Sequence, residues 1–266
     1  MAATNIPGFD YTFNPWIGCA KASTGCVNCY AEAFGAWMDV EWGPHPRRLT
    51  APATWRQPLA WDRKSARGGP PPQVLCGSLC DIADPAVPDE WRDQLLALFA
   101  ATPSLRWFLL TKRPDELRRY LGLVAGGRRH PDTTWLPVRV ASRAEVRGAM
   151  MGMANAWIGC SVEDDDAAAT RIPALVNMPD VEAGGYWISV EPMIGPVTLG
   201  AGWTHLDWII CGPETGPHAR PFDPAWANAL ARQASEASVP WYGKPGLAEG
   251  GCDTMTQRRE LPGEVV

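Results

Sequence analysis

Short apolar runs rich in Val, Ile and Trp recur along the chain, and each is followed by a turn and then by a helical pattern. The runs that we predict as strands are residues 73–77, 106–111, 156–162, 186–190, 206–211 and 239–243, with one further strand before Cys19. The helices that we predict between them are residues 88–101, 114–123, 164–177 and 224–237. Near-continuous apolar strands that alternate with amphipathic helices are typical of a parallel sheet covered by helices.

The number of predicted strands exceeds what a minimal open sheet requires. The fold class that we expect is therefore α/β, in the form of a complete or partial (β/α) barrel. We assign residues 1–246 to this barrel and residues 247–266 to a C-terminal tail. Residues 122–154 are Arg-rich and weakly patterned, and we predict that they form an insertion over the barrel mouth.

Charged and hydroxyl-bearing residues follow the predicted strands within a few positions. They are Ser78, Asp81, Lys112, Arg113, Ser161, Glu163, Glu191, Glu214 and Lys244. Because the chemistry of (β/α) barrels lies at the carboxyl ends of the strands, we expect these side chains to surround one site. The alternative is that these residues are ordinary strand-end caps and surface ion pairs. For Arg113 the following Pro114 favours this alternative, because a proline that begins a helix explains the local pattern by itself.

The composition excludes several classes of protein. With 266 residues, 46% of them hydrophobic, the chain can bury a full core without disulfide bonds. No apolar run is long enough to cross a membrane, and the N-terminus has neither the basic nor the apolar part of a secretory signal. We therefore expect a cytoplasmic protein without a membrane partner.

The formal net charge of −5 conceals a basic region. Residues 44–68 carry six basic side chains and one acidic side chain. The arginines in this region are Arg47, Arg48, Arg56, Arg63 and Arg67, and Trp37, Trp42, Trp55 and Trp61 flank or interrupt it. Arginine matches phosphate geometry and aromatic rings stack on bases, so the pattern suits a nucleic-acid surface. Solvated surface charge, with the aromatic residues packed over a loop, explains the pattern equally well.

Cys19, Cys26 and Cys29 are the informative group among the eight cysteines. Six residues separate the first two, and two residues separate the second and third. The nearest further ligands are distant, at His45 and Cys76, whereas structural zinc normally has four protein ligands. A loop with three cysteines instead suits a 4Fe-4S cluster with one open iron. Zinc completed by a distant ligand, and no metal at all, stay open as alternatives.

The segment NPWIGCAKASTGCVNCYAE resembles the N-terminal motif of the phage-associated three-Cys-motif family. That family is a radical-SAM-like group distantly similar to spore photoproduct lyase. The resemblance continues through LCGSLCDIADPAVPDEWRD, WFLLTKRPDEL, WIGCSVEDDDAAATRIPAL, ISVEPMIGPV, DWIICGPETGPHARP and VPWYGKPG, and it covers about residues 11–246.

The resemblance implies a barrel of the radical-SAM type and a specific cofactor pair. Cys19, Cys26 and Cys29 would hold three irons of a 4Fe-4S cluster, and S-adenosyl-L-methionine (SAM) would chelate the fourth. One electron would then cleave SAM to methionine and a 5′-deoxyadenosyl radical, which abstracts a hydrogen from the substrate. An electron donor such as flavodoxin or ferredoxin is the partner that this chemistry requires.

The resemblance also suggests roles for the residues at the strand ends. Ser78 and Asp81 would bind the ammonium group of SAM, Lys112 or Arg113 its carboxylate, and Ser161 and Glu163 its ribose, with Glu191 close behind. Many radical-SAM enzymes have an aromatic residue at the position of Asn28, and here Tyr30 would contact the adenine instead. Glu214 and Lys244 are the predicted catalytic residues.

The function that the resemblance implies is isomerisation of an amino-acid adduct on the 5-methyl carbon of thymidine in phage DNA. DNA would bind through the Arg-rich face, and the protein would act in the cytoplasm of the host cell. One alternative is a lyase or repair enzyme for pyrimidine lesions. The other is a non-catalytic zinc or iron–sulfur module that binds nucleic acid.

Overall fold

A computed structural model describes residues 4–125, 153–178, 183–200 and 203–262. The strands are β1 (Tyr11–Phe13), β2 (Trp16–Ile17), β3 (Arg48–Leu49), β4 (Gln73–Cys76), β5 (Arg106–Thr111), β6 (Ala156–Ser161), β7 (Gly185–Met193), β8 (Trp208–Pro213) and β9 (Trp241–Gly243). The helices are α1 (Tyr30–Trp37), α2 (Pro52–Ser65), α3 (Asp89–Ala100), α4 (Pro114–Ala125), α5 (Asp165–Val176), α6 (Pro224–Glu236) and α7 (Gly246–Glu249). The predicted strands and helices are all present, with ends that shift by a few residues.

Seven of the strands form one parallel sheet in the order β1-β4-β5-β6-β7-β8-β9. The sheet curls into a half-barrel, with helices packed against its convex face. Within the described residues β1 and β9 are its two edges, so the barrel is partial rather than complete. Because all seven strands run in the same direction, their carboxyl ends lie along one edge of the sheet.

The convex face carries the larger hydrophobic core. Alternate strand residues such as Trp107 and Ile158 are fully buried there, together with Leu98 and Phe99 of α3. Cys76, Cys160 and Cys211 belong to the same layer, where each thiol is fully buried. These three cysteines are therefore core residues.

The concave face is filled by aromatic rings. Its buried residues are Leu75, Phe108, Trp157, Trp187, Trp208, Ile210 and Tyr242. Phe9, just before β1, inserts among them, with its ring centroid 5.4 Å from that of Phe108 and 5.9 Å from that of Trp208. Because the segment before β1 lies at the amino edge of the parallel sheet, this group closes that end of the half-barrel; we call it the aromatic plug.

Two helices and a two-stranded ribbon between β1 and β4 were not predicted. The ribbon pairs β2 with β3, α1 follows the first cysteines, and α2 occupies most of the basic region. The interpretation of Trp55 and Trp61 as base-stacking residues is wrong, because both are buried core residues of α2. Trp55 packs edge-to-face on Phe13, and Trp61 stacks on Tyr11 at 4.4 Å.

The segment after β9 packs back onto that strand. The indole of Trp241 donates to the carbonyl of Thr256 at 2.9 Å, and the Gly243 N–H donates to the carbonyl of Arg258 at 2.8 Å. Most of the predicted insertion, residues 126–152, lies outside the described residues, and α4 continues into its first positions. No helix in the described ranges is long and apolar enough to cross a membrane.

Candidate functional site

The three cysteines of the predicted metal motif lie on one loop at the carboxyl edge of the sheet. This segment, which we call the cysteine loop, runs from Gly18 to Cys29 between β2 and α1. It joins the sheet at its start, where Gly18 pairs with Cys80 just beyond β4. Cys26 is buried, whereas Cys19 and Cys29 are partly exposed. The thiols therefore lie beside the strand ends that carry the predicted site residues.

Arg113 joins the start of the cysteine loop to the ends of β4 and β5. Its guanidinium donates to the Asp81 carboxylate at 2.7 Å, to the Ala20 carbonyl at 2.6 Å and to Cys19 Sγ at 3.8 Å. Asp81 also accepts the Thr111 hydroxyl at 2.6 Å, so both of its carboxylate oxygens are bonded. Burial lowers the pKa of Arg113, but the negative charge of Asp81 and the contact with Cys19 together outweigh burial and raise it. Arg113 and Asp81 thus hold the cysteine loop.

A buried ion pair between Arg47 and Asp84 supports the same stretch of the loop. Their side chains meet at 2.7 Å, and neither is more than 2% exposed. The same Asp84 oxygen accepts the Ala20 N–H at 3.2 Å. The prediction that Arg47 contacts DNA phosphates is wrong, because its guanidinium is buried and also donates to the carbonyls of Gly43 and His45. Its positive charge is neutralised inside the protein.

Glu163, just beyond β6, supports the middle of the cysteine loop. Its carboxylate accepts the Ser23 hydroxyl and two bonds from Arg171, at 2.6 and 3.3 Å, and Lys112 lies 3.6 Å away. Burial raises the pKa of Glu163, but the charge of Lys112, the Ser23 hydrogen bond and Arg171 together outweigh burial and lower it. The carboxylate therefore stays ionised within the protein, between two cations. Gly25 packs directly against it.

Glu214, at the end of β8, supports the last part of the cysteine loop. It pairs with Arg220 at 2.5 Å and accepts the Asn28 side-chain amide at 3.1 Å. Arg220 in turn donates to the carbonyl of Thr24 at 2.9 Å. The hydrogen bonds from Arg220 exceed the opposing effect of burial and lower the pKa of Glu214 to about 2. The predicted catalytic Glu214 is thus engaged with the cysteine loop.

Tyr30 and Ser78 meet at the end of the loop. The Tyr30 hydroxyl donates to the backbone carbonyl of Ser78 at 3.0 Å, and the Ser78 hydroxyl accepts the Asn14 amide at 3.0 Å. The Tyr30 phenol therefore acts as a hydrogen-bond donor to the strand end.

Glu191 and Lys244 form an ion pair across β7, β8 and β9. The Lys244 ammonium donates to the Glu191 carboxylate, and Gly212 of β8 leaves the space that the Lys244 side chain occupies. Ser161 is buried on β6, and its backbone carbonyl accepts Arg171 at 2.8 Å. In the contacts described for this edge, Glu191 and Lys244 bond to each other and Ser161 bonds to Arg171 of α5, and none of the three bonds to the cysteine loop.

Four of the residues that support the cysteine loop were not among the predicted site residues. They are Ser23, Asp84, Arg171 and Arg220. Asp84 and Arg220 lie in segments quoted for the family resemblance, and Arg171 lies eight positions after Glu163 on the first turns of α5. Glu163 and Arg171 are eight positions apart, and Glu214 and Arg220 are six positions apart. An acidic and a basic residue at this spacing were a signal in the sequence for these two partners.

The chemistry of the donor set fits an iron–sulfur cluster with three protein ligands. Two of the sulfurs accept N–H groups, Cys19 from Arg113 at 3.8 Å and Cys26 from the Ala22 backbone at 3.5 Å. Such bonds stabilise anionic sulfur in metal clusters. Within the described residues no three or more His, Cys, Asp or Glu side chains are already gathered around one metal position. Burial, together with the charge of Asp81, raises the pKa of Cys19 to about 12, so metal binding must displace its proton.

An open cavity of about 780 Å³ adjoins Cys29. One wall is the outer face of α1, where Tyr30 and Phe34 are about half exposed and Trp37 is 85% exposed. The opposite wall is the loop of residues 215–218 after β8. The volume is within the range of small-molecule sites, and the lining is mainly apolar.

Fold and site together define an α/β partial-barrel protein with a three-cysteine loop held at the carboxyl edge of its sheet. The chain belongs to a family of proteins of unknown function, DUF5131, whose model matches residues 3–259. No curated protein matches the chain, and no solved structure matches it.

Proposed function

We propose that this protein is a radical-SAM enzyme with a barrel of the radical-SAM type. One observation carries the proposal: a loop with three cysteines lies at the carboxyl edge of a parallel half-barrel, tied by charged side chains to the ends of β4, β5, β6 and β8. The catalytic sites of (β/α) barrels occupy this edge. Three thiolates are too few to complete a structural zinc site and suit a cluster that leaves one iron open.

In this proposal Cys19, Cys26 and Cys29 would hold a 4Fe-4S cluster. With SAM bound, a cluster reduced by the electron donor would supply the electron for reductive cleavage of SAM. Arg113 donates to Cys19 Sγ and compensates part of the negative charge that the thiolates bring. The aromatic plug closes the amino end of the half-barrel, which keeps water from reaching the site from that side.

Glu191, Lys244 and Ser161 are the residues that we propose for contacts to SAM and substrate. Glu191 and Lys244 bond to each other, so each can exchange its partner for an ammonium or carboxylate group of a ligand without loss of charge balance. Asp81, Glu163 and Lys112 are already bonded within the supports of the cysteine loop. Their proposed role is to shape the site.

The substrate that we propose is a thymidine in DNA that carries an amino-acid adduct on its 5-methyl carbon. The family resemblance supports this substrate, as does the exposed aromatic face of α1 beside Cys29, since aromatic rings stack on bases. With Arg47 buried, the phosphate contacts fall to Arg48 and to Arg56, Arg63 and Arg67, which are all exposed. Flavodoxin or ferredoxin is the proposed electron donor.

Anaerobic reconstitution with iron and sulfide tests the proposal. The parent protein should bind four irons per chain, turn brown and cleave SAM on reduction. Cys26→Ala should lose both the cluster and the cleavage, because three ligands are the minimum and no further cysteine lies on the loop. Cys252→Ala removes a buried thiol near the C-terminus and should retain both.

A colourless parent protein that binds stoichiometric zinc and cleaves no SAM would contradict the proposal. That result would support the non-catalytic nucleic-acid-binding module instead. Cleavage of SAM without hydrogen transfer from the thymidine adduct, but with turnover of a pyrimidine dimer, would replace the isomerase with the lesion lyase. Deuterium transfer from a labelled substrate into 5′-deoxyadenosine distinguishes the two enzymes.

A further inference from the structure

The middle of the cysteine loop packs against the buried carboxylate of Glu163. Ser23 donates its hydroxyl to Glu163, and Gly25 lies so close that a Cβ at this position would be 2.8 Å from the carboxylate carbon. A contact that short requires one of the two groups to move. Ser23 and Gly25 therefore define where the loop meets the end of β6.

Glu163 is a fixed support rather than a flexible one. Its side chain is 1% exposed, Arg171 donates to both of its oxygens, and Lys112 lies 3.6 Å from one of them. Turning the carboxylate away from the loop would break these contacts and leave charge unpaired in a buried place. A methyl group at position 25 would therefore displace the loop and leave Glu163 in position.

Cys26 belongs to the same turn as these two residues. Its backbone N–H donates to the carbonyl of Ser23 at 3.0 Å, and the Ser23 hydroxyl lies 4.0 Å from Cys26 Sγ. The thiol also accepts the Ala22 N–H at 3.5 Å. The position of the sulfur thus depends on where the turn sits relative to Glu163.

We propose that Ser23 and Gly25 are positioning residues that set Cys26 Sγ for metal binding by seating the cysteine loop on Glu163. This inference rests on the proposed function in that the metal is the cluster of a radical-SAM site. It adds a requirement for metal binding beyond the three cysteines. The loop needs a hydroxyl at position 23 and no side chain at position 25.

The test combines metal loading with the reactivity of single cysteines. Ser23→Ala and Gly25→Ala should each weaken binding of the reconstituted cluster by about tenfold or more, as loss of outer-shell contacts does at other metal sites. In the metal-free protein, mass spectrometry should find Cys26 alkylated several times faster than in the parent. Ser23→Thr keeps the hydroxyl and should restore both properties.

The controls separate positioning from a loss of stability. Gly200→Ala makes the same substitution where nothing lies within 4 Å of the added Cβ, and it should change neither loading nor alkylation. Cys252 is buried far from the loop in sequence, so its alkylation should stay slow unless the whole chain unfolds. Thermal midpoints close to that of the parent complete the comparison.

Two results would overturn the inference, and they are distinguishable. If the parent binds a cluster and both loop variants bind it equally well, with Cys26 alkylation unchanged, Ser23 and Gly25 do not position the thiol and the proposed function stands. If the parent binds no cluster under any reconstitution, the proposed function fails and the inference fails with it.

Discussion

The two ends of the half-barrel are built from different kinds of side chain, aromatic at the amino end and charged at the carboxyl end. At the amino end, Phe9 packs against the concave aromatic residues, and the ring centroids of neighbouring residues lie 5.3–6.1 Å apart. At the carboxyl end, Asp81, Asp84, Glu163 and Glu214 each pair with an arginine and each bond to the cysteine loop or its anchors. One end is closed by apolar packing and the other is organised by paired charges.

This difference indicates that the aromatic plug mainly stabilises the fold, whereas the paired charges mainly position the cysteine loop. Burying aromatic surface contributes directly to the free energy of unfolding. Buried ion pairs contribute little on balance, because desolvation offsets their attraction, and apolar residues of similar volume often do as well. Stability therefore does not explain why four acid–arginine pairs, buried or partly buried, surround one loop. Holding that loop in a defined position does explain it.

The largest effect that we expect comes from the aromatic plug. Phe108 is fully buried and contacts the rings of Phe9, Trp157, Trp187 and Trp208. Phe108→Ala should lower the free energy of unfolding by about 4 kcal/mol, because it removes apolar burial and leaves a cavity. Denaturant titration of the metal-free protein measures this loss.

The matched control for that substitution is on the protein surface. Phe34→Ala removes the same ring from the exposed face of α1 and should change the free energy of unfolding by less than about 0.5 kcal/mol. Similar losses for Phe34 and Phe108 would mean that the aromatic plug is not the stabilising end. A Phe108→Ala chain that stays folded should still bind the proposed cluster, because its defect lies at the other end of the sheet.

The sequence predicted the sheet well because its strands carry a strong local signal. Runs such as RWFLLT and AWIGCS are apolar almost throughout, which is what a strand buried on both faces requires. Helix α2 was missed because basic residues and Pro58 mask the apolar positions that hold Trp55 and Trp61. Its burial depends on β1, which is distant in sequence.

The strand-end residues were predicted from their positions directly after the apolar runs. Their contacts, however, involve partners that are distant in sequence and that no local pattern reveals. Glu163 meets Ser23 across 140 positions, and Glu214 meets Asn28 across 186. Arg47 is a basic residue in a basic segment, and only the fold brings it to Asp84. Sequence therefore placed these residues at the strand ends and could not distinguish those that support the cysteine loop from those that do not contact it.

The next effect should come from the carboxyl end. Arg47→Met leaves the carboxylate of Asp84 buried without its cation, and we expect a loss of about 3 kcal/mol in the free energy of unfolding. The neighbouring Arg48→Met removes an exposed guanidinium that donates to the Met38 carbonyl and should cost at most about 1 kcal/mol. Denaturant titration of the two variants side by side measures the difference.

The double variant Arg47→Met/Asp84→Leu distinguishes stability from positioning at this pair. Removing both charges should recover most of the lost stability, because no unpaired charge then stays buried. It also removes the acceptor for the Ala20 N–H, so cluster binding should not recover with it. Recovery of both properties would mean that the ion pair does not position the cysteine loop.

The smallest effect is the pH dependence of the Glu214–Arg220 pair. Hydrogen bonds from Arg220 lower the pKa of Glu214 from an ordinary value near 4.5 to about 2. A carboxyl with a lowered pKa contributes stability that is fully present above its unfolded pKa and is lost as pH falls toward the folded one. We therefore expect the parent to lose about 1 kcal/mol relative to Glu214→Gln between about pH 4.5 and 2, after allowance for the partly exposed Arg220. If the free energies of unfolding of the two proteins change in parallel across this window, the pair contributes no charge-dependent stability. Neutral hydrogen bonds alone would then hold the region near Asn28 at the carboxyl end.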